Sequence, residues 1–303
     1  MRTDVHQHLL PEPLVAALAR RRLPPRIVAD GAAWSLELAG EPASVFRPED
    51  HDPRLRARLA EDDGIDRVVV SLSTALGIES LPADDAAPLL DLFNRGVREL
   101  GAPFGLWGAV VAGAPAVDAD ALLDAGALGL ALPAGALEAP QALARVAPLL
   151  ERLEERGAPV FVHPGPAAVA PSAPAWWPAL TSYVAGMAAA WHGFAVWGRP
   201  RHPRLRVVFA MLAGAAPLHA ERLAARGGPA DAVHDPLAWF DVSSYGPRAL
   251  DAMIRAVGVD RLVLGSDRPV ADPPPVAALG AAVEHALAVA NPGRALGTVA
   301  VPA

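Results

Sequence analysis

His6 and His8 stand two residues apart near the start of the chain, within Asp4-Val5-His6-Gln7-His8. On an extended strand this spacing projects both imidazoles from one face, where they can reach a single metal ion. The spacing alone is a weak signal, since nine His in 303 residues produce roughly 0.27 such pairs by chance. His163 ends the apolar run Pro159-Val160-Phe161-Val162 and is followed at once by Pro164-Gly165. Asp267 comes directly after Arg261-Leu262-Val263-Leu264-Gly265-Ser266. Each has a plainer reading by itself, a packed strand-end His in one case and a turn former or helix N-cap in the other. Together they form a donor set of three imidazoles and one carboxylate, the kind that holds a divalent ion.

Those residues are useful only if the fold brings them together. Short aliphatic or β-branched runs occur at 3–6, 67–71, 104–110, 128–132, 159–163, 206–211, 239–243 and 261–265. Most are apolar at consecutive positions, as parallel strands covered on both faces are. Longer Ala, Leu and Arg segments of helical period separate them. Residues 140–156 place Leu143, Val146, Leu149, Leu150 and Leu153 near one face and stop at Gly157, and 251–257 stops in the same way at Gly258. Alternating strands and helices suit both an open doubly wound sheet and a closed barrel. Eight runs favour the barrel, and in a barrel the ends of strands one, five and eight converge on one face. The expected fold is therefore α/β, a single (β/α)8 TIM barrel over residues 1–303, with an insertion at about 24–50 after the first strand. Trp34-Ser35-Leu36-Glu37-Leu38 reads as a strand within that insertion, and the proline-rich stretch 164–178 reads as a long loop on the active face.

Composition removes several alternatives. Cys is absent, so disulfides and thiolate ligands are excluded. All 26 basic residues are Arg, which excludes Schiff-base chemistry, a P-loop lysine and a carboxylated lysine bridging two metals. A net charge of −7 without a basic stripe gives no drive toward nucleic acid, and Arg20-Arg21-Arg22 reads as the solvated end of a helix. No signal-like N-terminus and no apolar run near 18 residues is evident, so a cytoplasmic chain without a membrane span is expected. The expected partner is a small-molecule substrate, with a homodimer left open.

At the chemistry-bearing residues a family resemblance emerges. Asp4-Val5-His6-Gln7-His8 resembles the D-x-H-x-H opening of the amidohydrolase-2 group of the amidohydrolase superfamily, and Val162-His163-Pro164 resembles its fifth-strand His. Gly258-Val259-Asp260-Arg261 through Gly265-Ser266-Asp267-Arg268-Pro269 is similar to its G-x-D-R…G-S-D-x-P signature, and Asn291-Pro292-Gly293-Arg294 to its N-P-A-R element. The group includes α-amino-β-carboxymuconate semialdehyde decarboxylase, resorcylate-type decarboxylases, hydrolases and lactonases. The resemblance implies one divalent ion, most often zinc, held by His6, His8, His163 and Asp267.

One departure bears on mechanism. Family members carry a His at the end of the sixth strand, where this chain reads Phe209-Ala210-Met211-Leu212-Ala213-Gly214. Methionine neither moves a proton nor holds a charge. By strand register, Met211 is expected to face the metal pocket. His219 and His192 read as helix-surface residues. A divalent ion lowers the pKa of its water to about 7, so hydrolysis of an amide, ester or lactone is the leading expectation, with Asp267 as both ligand and proton carrier. Non-oxidative decarboxylation of a small carboxylic acid is the second, and a catalytically silent relative the third. Arg268 and Arg47 are candidates to hold a substrate carboxylate. Trp176, Trp177 and Tyr245 are candidates to wall a planar ligand.

Overall fold

The computed structural model describes residues 1–31, 33–170 and 172–299. Pro171, within the expected proline-rich loop, and Ala32, within the expected insertion, lie outside the described residues. Eight parallel strands form the central sheet: β1 (Thr3–Gln7), β5 (Arg67–Val70), β6 (Phe104–Ala109), β7 (Gly129–Pro133), β8 (Val160–His163), β9 (Val207–Phe209), β10 (Ala238–Asp241) and β11 (Leu262–Val263). They pair in chain order. The first and last are joined as well: Val5 N–H donates to Leu264 O at 2.8 Å, Asp267 N–H to His6 O at 2.9 Å and His8 N–H to Arg268 O at 2.7 Å. The result is the expected (β/α)8 barrel.

Consecutive apolar positions mark these strands because both faces are covered. Val160, Phe161 and Val162 of β8 and Val207, Val208 and Phe209 of β9 are all fully buried. The outer helices carry one apolar stripe each. Helix Pro140–Arg156 begins with Pro, whose missing N–H costs nothing in the first turn. It buries Ala142, Leu143, Val146, Leu149, Leu150 and Leu153, and ends at Gly157 with φ 61°. The second expected helix is longer at its start than the sequence indicates, spanning Pro247–Val257.

Between helices Glu12–Ala19 and Pro53–Asp62 the insertion folds into an antiparallel sheet of β2 (Arg26–Asp30), β3 (Ala33–Glu37) and β4 (Ser44–Val45). It docks on the proline-rich loop. Val169 N–H donates to Gly40 O at 2.9 Å, and Ala167 N–H to Glu41 Oε1 at 3.1 Å. The Tyr183 hydroxyl reaches both Glu41 oxygens, at 2.8 and 2.7 Å. Gly40 permits this approach, since a Cβ there would stand 2.6 Å from Ala167 O.

The sixth barrel strand departs from expectation. It ends at Phe209, and Met211, Leu212, Ala213, Gly214 and Ala215 all have φ between 50° and 62°. The register argument for Met211 requires an extended backbone, and that backbone stops before it. Met211 is half-buried and packs against the main core. No helix among the described residues is long and apolar enough to cross a membrane.

Candidate metal centre

Strand β1 alternates Asp4, His6 and, just past its end, His8 toward the barrel interior. Each of the three is buried. Phe161 of β8 lies under His6, with ring centroids 4.9 Å apart, and Trp107 of β6 stacks on Phe161 at 5.3 Å. These rings form the floor on which the site rests. His163, two residues beyond Phe161 on the same strand, completes a trio of imidazoles whose centroids lie 4.8–5.1 Å apart.

The outer ring nitrogens fix the tautomers. His6 Nδ1 donates to Asp241 Oδ2 at 2.7 Å, His8 Nδ1 to Ser71 O at 2.9 Å, and His163 Nδ1 to Pro164 O at 3.1 Å. A carboxylate or carbonyl oxygen can only accept, so each neutral ring carries its hydrogen on Nδ1 and a lone pair on Nε2. Those three Nε2 atoms face one another, with His8 Nε2 3.1 Å from His6 Nε2 and 3.2 Å from His163 Nε2. Asp267 Oδ1 lies 3.1 Å from His8 Nε2 and 3.4 Å from His6 Nε2, and is buried without a hydrogen-bond partner. Ligand atoms of all four residues fall within 4.8 Å of one another. Four electron-pair donors in contact, with no hydrogen among them, form an arrangement that a cation satisfies, and the donor set suits a divalent ion.

The local electrostatics agree. Burial pushes the His6 pKa down, but the carboxylates of Asp241, Asp267 and Asp4 outweigh it and raise it to about 9. Burial, followed by the neighbouring His8 and His6, holds His163 well below the usual imidazole value. Without an ion, His6 therefore holds a proton at neutral pH, a positive charge whose place a bound cation would take.

Surrounding groups hold this geometry. Ser243 Oγ donates to Asp241 Oδ2 at 2.7 Å, so the carboxylate orienting His6 is itself anchored. Gly265 leaves room for the pair: a Cβ there would stand 2.0 Å from Asp241 Oδ1 and 2.8 Å from His6 Cβ. Asp4 accepts from Ser266 Oγ and Gln7 Nε2, each at 2.6 Å, tying β1 to the segment that carries Asp267. Asp267 has φ 63°, an uncommon conformation for a non-Gly residue, and strain of this kind concentrates at functional positions. Thr74 Oγ1 donates to Pro164 O at 2.7 Å and fixes the turn after His163.

The remaining candidates are placed differently. Arg268 pairs with Asp63, with Asp272 3.9 Å away, so its guanidinium is already occupied by carboxylates of the chain. Arg47 is exposed at the start of the 3-10 turn Pro48–His51. Trp176 and Trp177 are 58 % and 43 % exposed with rings 5.5 Å apart, and Tyr245 is half-buried against the main core. His192 packs edge-on against Trp191, and His219 is exposed. A cavity of about 430 Å³ adjoins the ends of β7 and β8, with Pro133, Pro164, Gly165, Ser182 and Tyr183 on its wall. Asp241, His51 and the Glu41–Tyr183 pair were not singled out from sequence. Asp241 at the end of an apolar run was the one with a readable signal.

No family model and no curated protein matches the chain. Solved structures do. It is similar to the apo form of IDCase from Metarhizium anisopliae, with 20% identity and TM-score 0.76 over 98% of this chain and 97% of that one. It is similar to 5-carboxyvanillate decarboxylase LigW from Sphingomonas paucimobilis, with 16% identity and TM-score 0.71 over 98% of each. A dihydroxybenzoic acid decarboxylase from a Polaromonas species, with bound manganese and the inhibitor 2-nitroresorcinol, matches at 15% identity and TM-score 0.68, over 98% of this chain and 96% of that one. At these identities the likeness establishes the shared fold.

Proposed function

We propose that the chain is a member of the amidohydrolase superfamily, in its amidohydrolase-2 group, and catalyses metal-dependent, non-oxidative decarboxylation of a small carboxylic acid. The observation that carries this reading is the acceptor-only cluster of His6, His8, His163 and Asp267 at the C-terminal mouth of the barrel. The motifs around those residues and the printed names of the structural neighbours, mostly decarboxylases, support it. A divalent ion bound there would orient the substrate carboxylate and neutralise charge as the reaction proceeds. Zinc is the ion expected from the resemblance, and manganese, bound in the Polaromonas enzyme, is its competitor.

In the reaction the bond between carbon and carboxylate breaks, CO2 leaves, and the carbon takes a proton. Asp267, at 14 % the more exposed member of its contacts with His6 and His8, is the residue proposed to carry that proton. His6 and His163 are enclosed by Asp241, Phe161 and Thr74 and act as fixed ligands. Hydrolysis, the leading expectation from sequence, now ranks second, because its support is confined to the superfamily. It keeps one favourable observation: the sixth strand supplies Met211 and no imidazole for orienting a carboxylate.

The test is to measure metal content, reload the apo-protein with zinc or manganese, and follow CO2 release from a panel of hydroxybenzoates and small unsaturated acids. Amides, esters and lactones are assayed in parallel. CO2 release that Asp267→Asn abolishes more completely than it lowers metal content is expected. Hydrolysis without CO2 release would overturn the reading in favour of the second, and turnover of neither class would identify a silent relative.

A further inference from the structure

Asp267 is the member of the metal centre with the least support of its own. The rings of His6, His8 and His163 are each oriented through Nδ1, by Asp241, Ser71 O and Pro164 O. Asp267 Oδ1 accepts from no donor, so the place of this carboxylate depends on how its backbone is held against β1. Three contacts within the barrel do so. Gln7 pairs with Arg268 in a parallel bridge, Asp267 N–H donates to His6 O at 2.9 Å, and His8 N–H donates to Arg268 O at 2.7 Å.

A fourth comes from outside the sheet. Arg56, in helix Pro53–Asp62, is 2 % exposed and is the only buried arginine among the described residues. Its Nη1 donates to His8 O at 3.0 Å and to Asp50 O at 3.2 Å, and its Nη2 donates to Arg268 O at 3.1 Å. Nη2 also donates to Gln7 Oε1, and Gln7 Nε2 donates to Asp4 Oδ2 at 2.6 Å, so a buried carboxylate balances the cation through one intervening amide. Asp63, just past the same helix, pairs with the Arg268 side chain. The helix thus grips the turn after Asp267 at its carbonyl and at its side chain, and one guanidinium ties that turn to His8.

This burial is a poor source of stability. Nε has no hydrogen-bond partner, and buried charges seldom recover their desolvation. What a planar guanidinium supplies is geometry: its donors diverge at fixed angles, so two carbonyls bound to one group keep a fixed spacing.

We infer that Arg56 is a positioning residue of the metal centre: by joining His8 O to Arg268 O it sets Asp267 Oδ1 against the imidazoles, 3.1 Å from His8 Nε2, and so governs how tightly an ion is held. The inference rests on the metal-centre part of the proposed function and not on decarboxylation, so CO2 release plays no part in its test.

Chelator-treated protein is titrated with manganese, and the free ion is followed by its EPR signal. Arg56→Met keeps the apolar stem and removes the donors, while Arg56→Lys keeps the charge at a single point. Kd is expected to rise about ten- to a hundredfold in Arg56→Met and about three- to tenfold in Arg56→Lys. In Asp267→Asn, where the carboxylate that Arg56 places is already gone, adding Arg56→Met is expected to raise Kd less than about threefold. Leu150→Ala, a core truncation in helix Pro140–Arg156, is expected to lower Tm and leave Kd unchanged. An unchanged Kd in Arg56→Met, the full loss repeated in the Asp267→Asn background, or an equal loss in Leu150→Ala would overturn the inference. Should Arg56→Met fail to fold, Arg56→Lys takes its place in the same cycle. A wild-type protein that takes up no manganese would remove the metal centre and this inference together, whereas tight binding that ignores Arg56 would leave the metal centre standing and sink the inference alone.

Discussion

Glu79, in the turn after β5, is 1 % exposed, and neither carboxyl oxygen has a hydrogen-bond partner. Burial raises its pKa from the ordinary 4.5 to about 8. Between those values the native chain keeps a proton that the unfolded chain gives up. Stability therefore falls as pH rises through this window, and the full cost is present above about pH 8. Glu79→Gln removes that dependence, on the order of 2–5 kcal/mol between pH 5 and 9. Denaturant titrations at both pH values check this, and parallel losses in the two proteins would show that Glu79 is not responsible. Single residues were legible in the sequence when their signal was local. His6 and His163 end apolar runs, and His8 and Asp267 each stand two residues past one, and the fold brings the four together. Relations between distant residues were not legible: the engagement of Arg268 by Asp63 spans 205 positions and leaves no trace in the spacing of either.

At the scale of elements, all eight barrel strands lie within one or two residues of their apolar runs, because burial on both faces forces a continuous apolar stretch. The eighth is shorter, Leu262–Val263, since the chain leaves the ladder early to present Asp267. The segment after β9 was illegible for a definite reason. A left-handed run is announced by glycine, and here Met211, Leu212, Ala213 and Ala215 adopt it with a single glycine, Gly214, among them. Buried contacts of Leu212, Ala213 and Ala216 hold the run in place. Two substitutions test that account in opposite directions. Ala215→Gly relieves a half-buried positive-φ position and is expected to raise Tm by about 1–3 °C. Gly214→Ala puts a Cβ 2.3 Å from Val184 O and is expected to cost about 3 kcal/mol. A loss of stability in both would show that packing, not backbone conformation, limits this segment.

For the whole molecule, an ion held by the donor cluster would couple stability to metal concentration. A ligand present at 100 times its Kd that binds only the native state stabilises it by about 2.7 kcal/mol. Zinc or manganese added to chelator-treated protein is thus expected to raise Tm by roughly 5 °C or more, and calorimetric scans with and without the ion measure this. Magnesium, which prefers oxygen donors, is expected to shift it little. An unchanged Tm with either transition metal would argue against the cluster as a metal centre. The barrel closes where β1 meets the segment carrying Asp267, and that seam also sets a timetable. During synthesis His6 and His8 leave the ribosome first, and Asp267 emerges some 260 residues later, together with the Ser266 that anchors Asp4. A nascent chain halted after β10 holds three imidazoles and no carboxylate to complete them. Completion of the donor set is accordingly a late event in the life of the chain, reached when the barrel is already nearly finished.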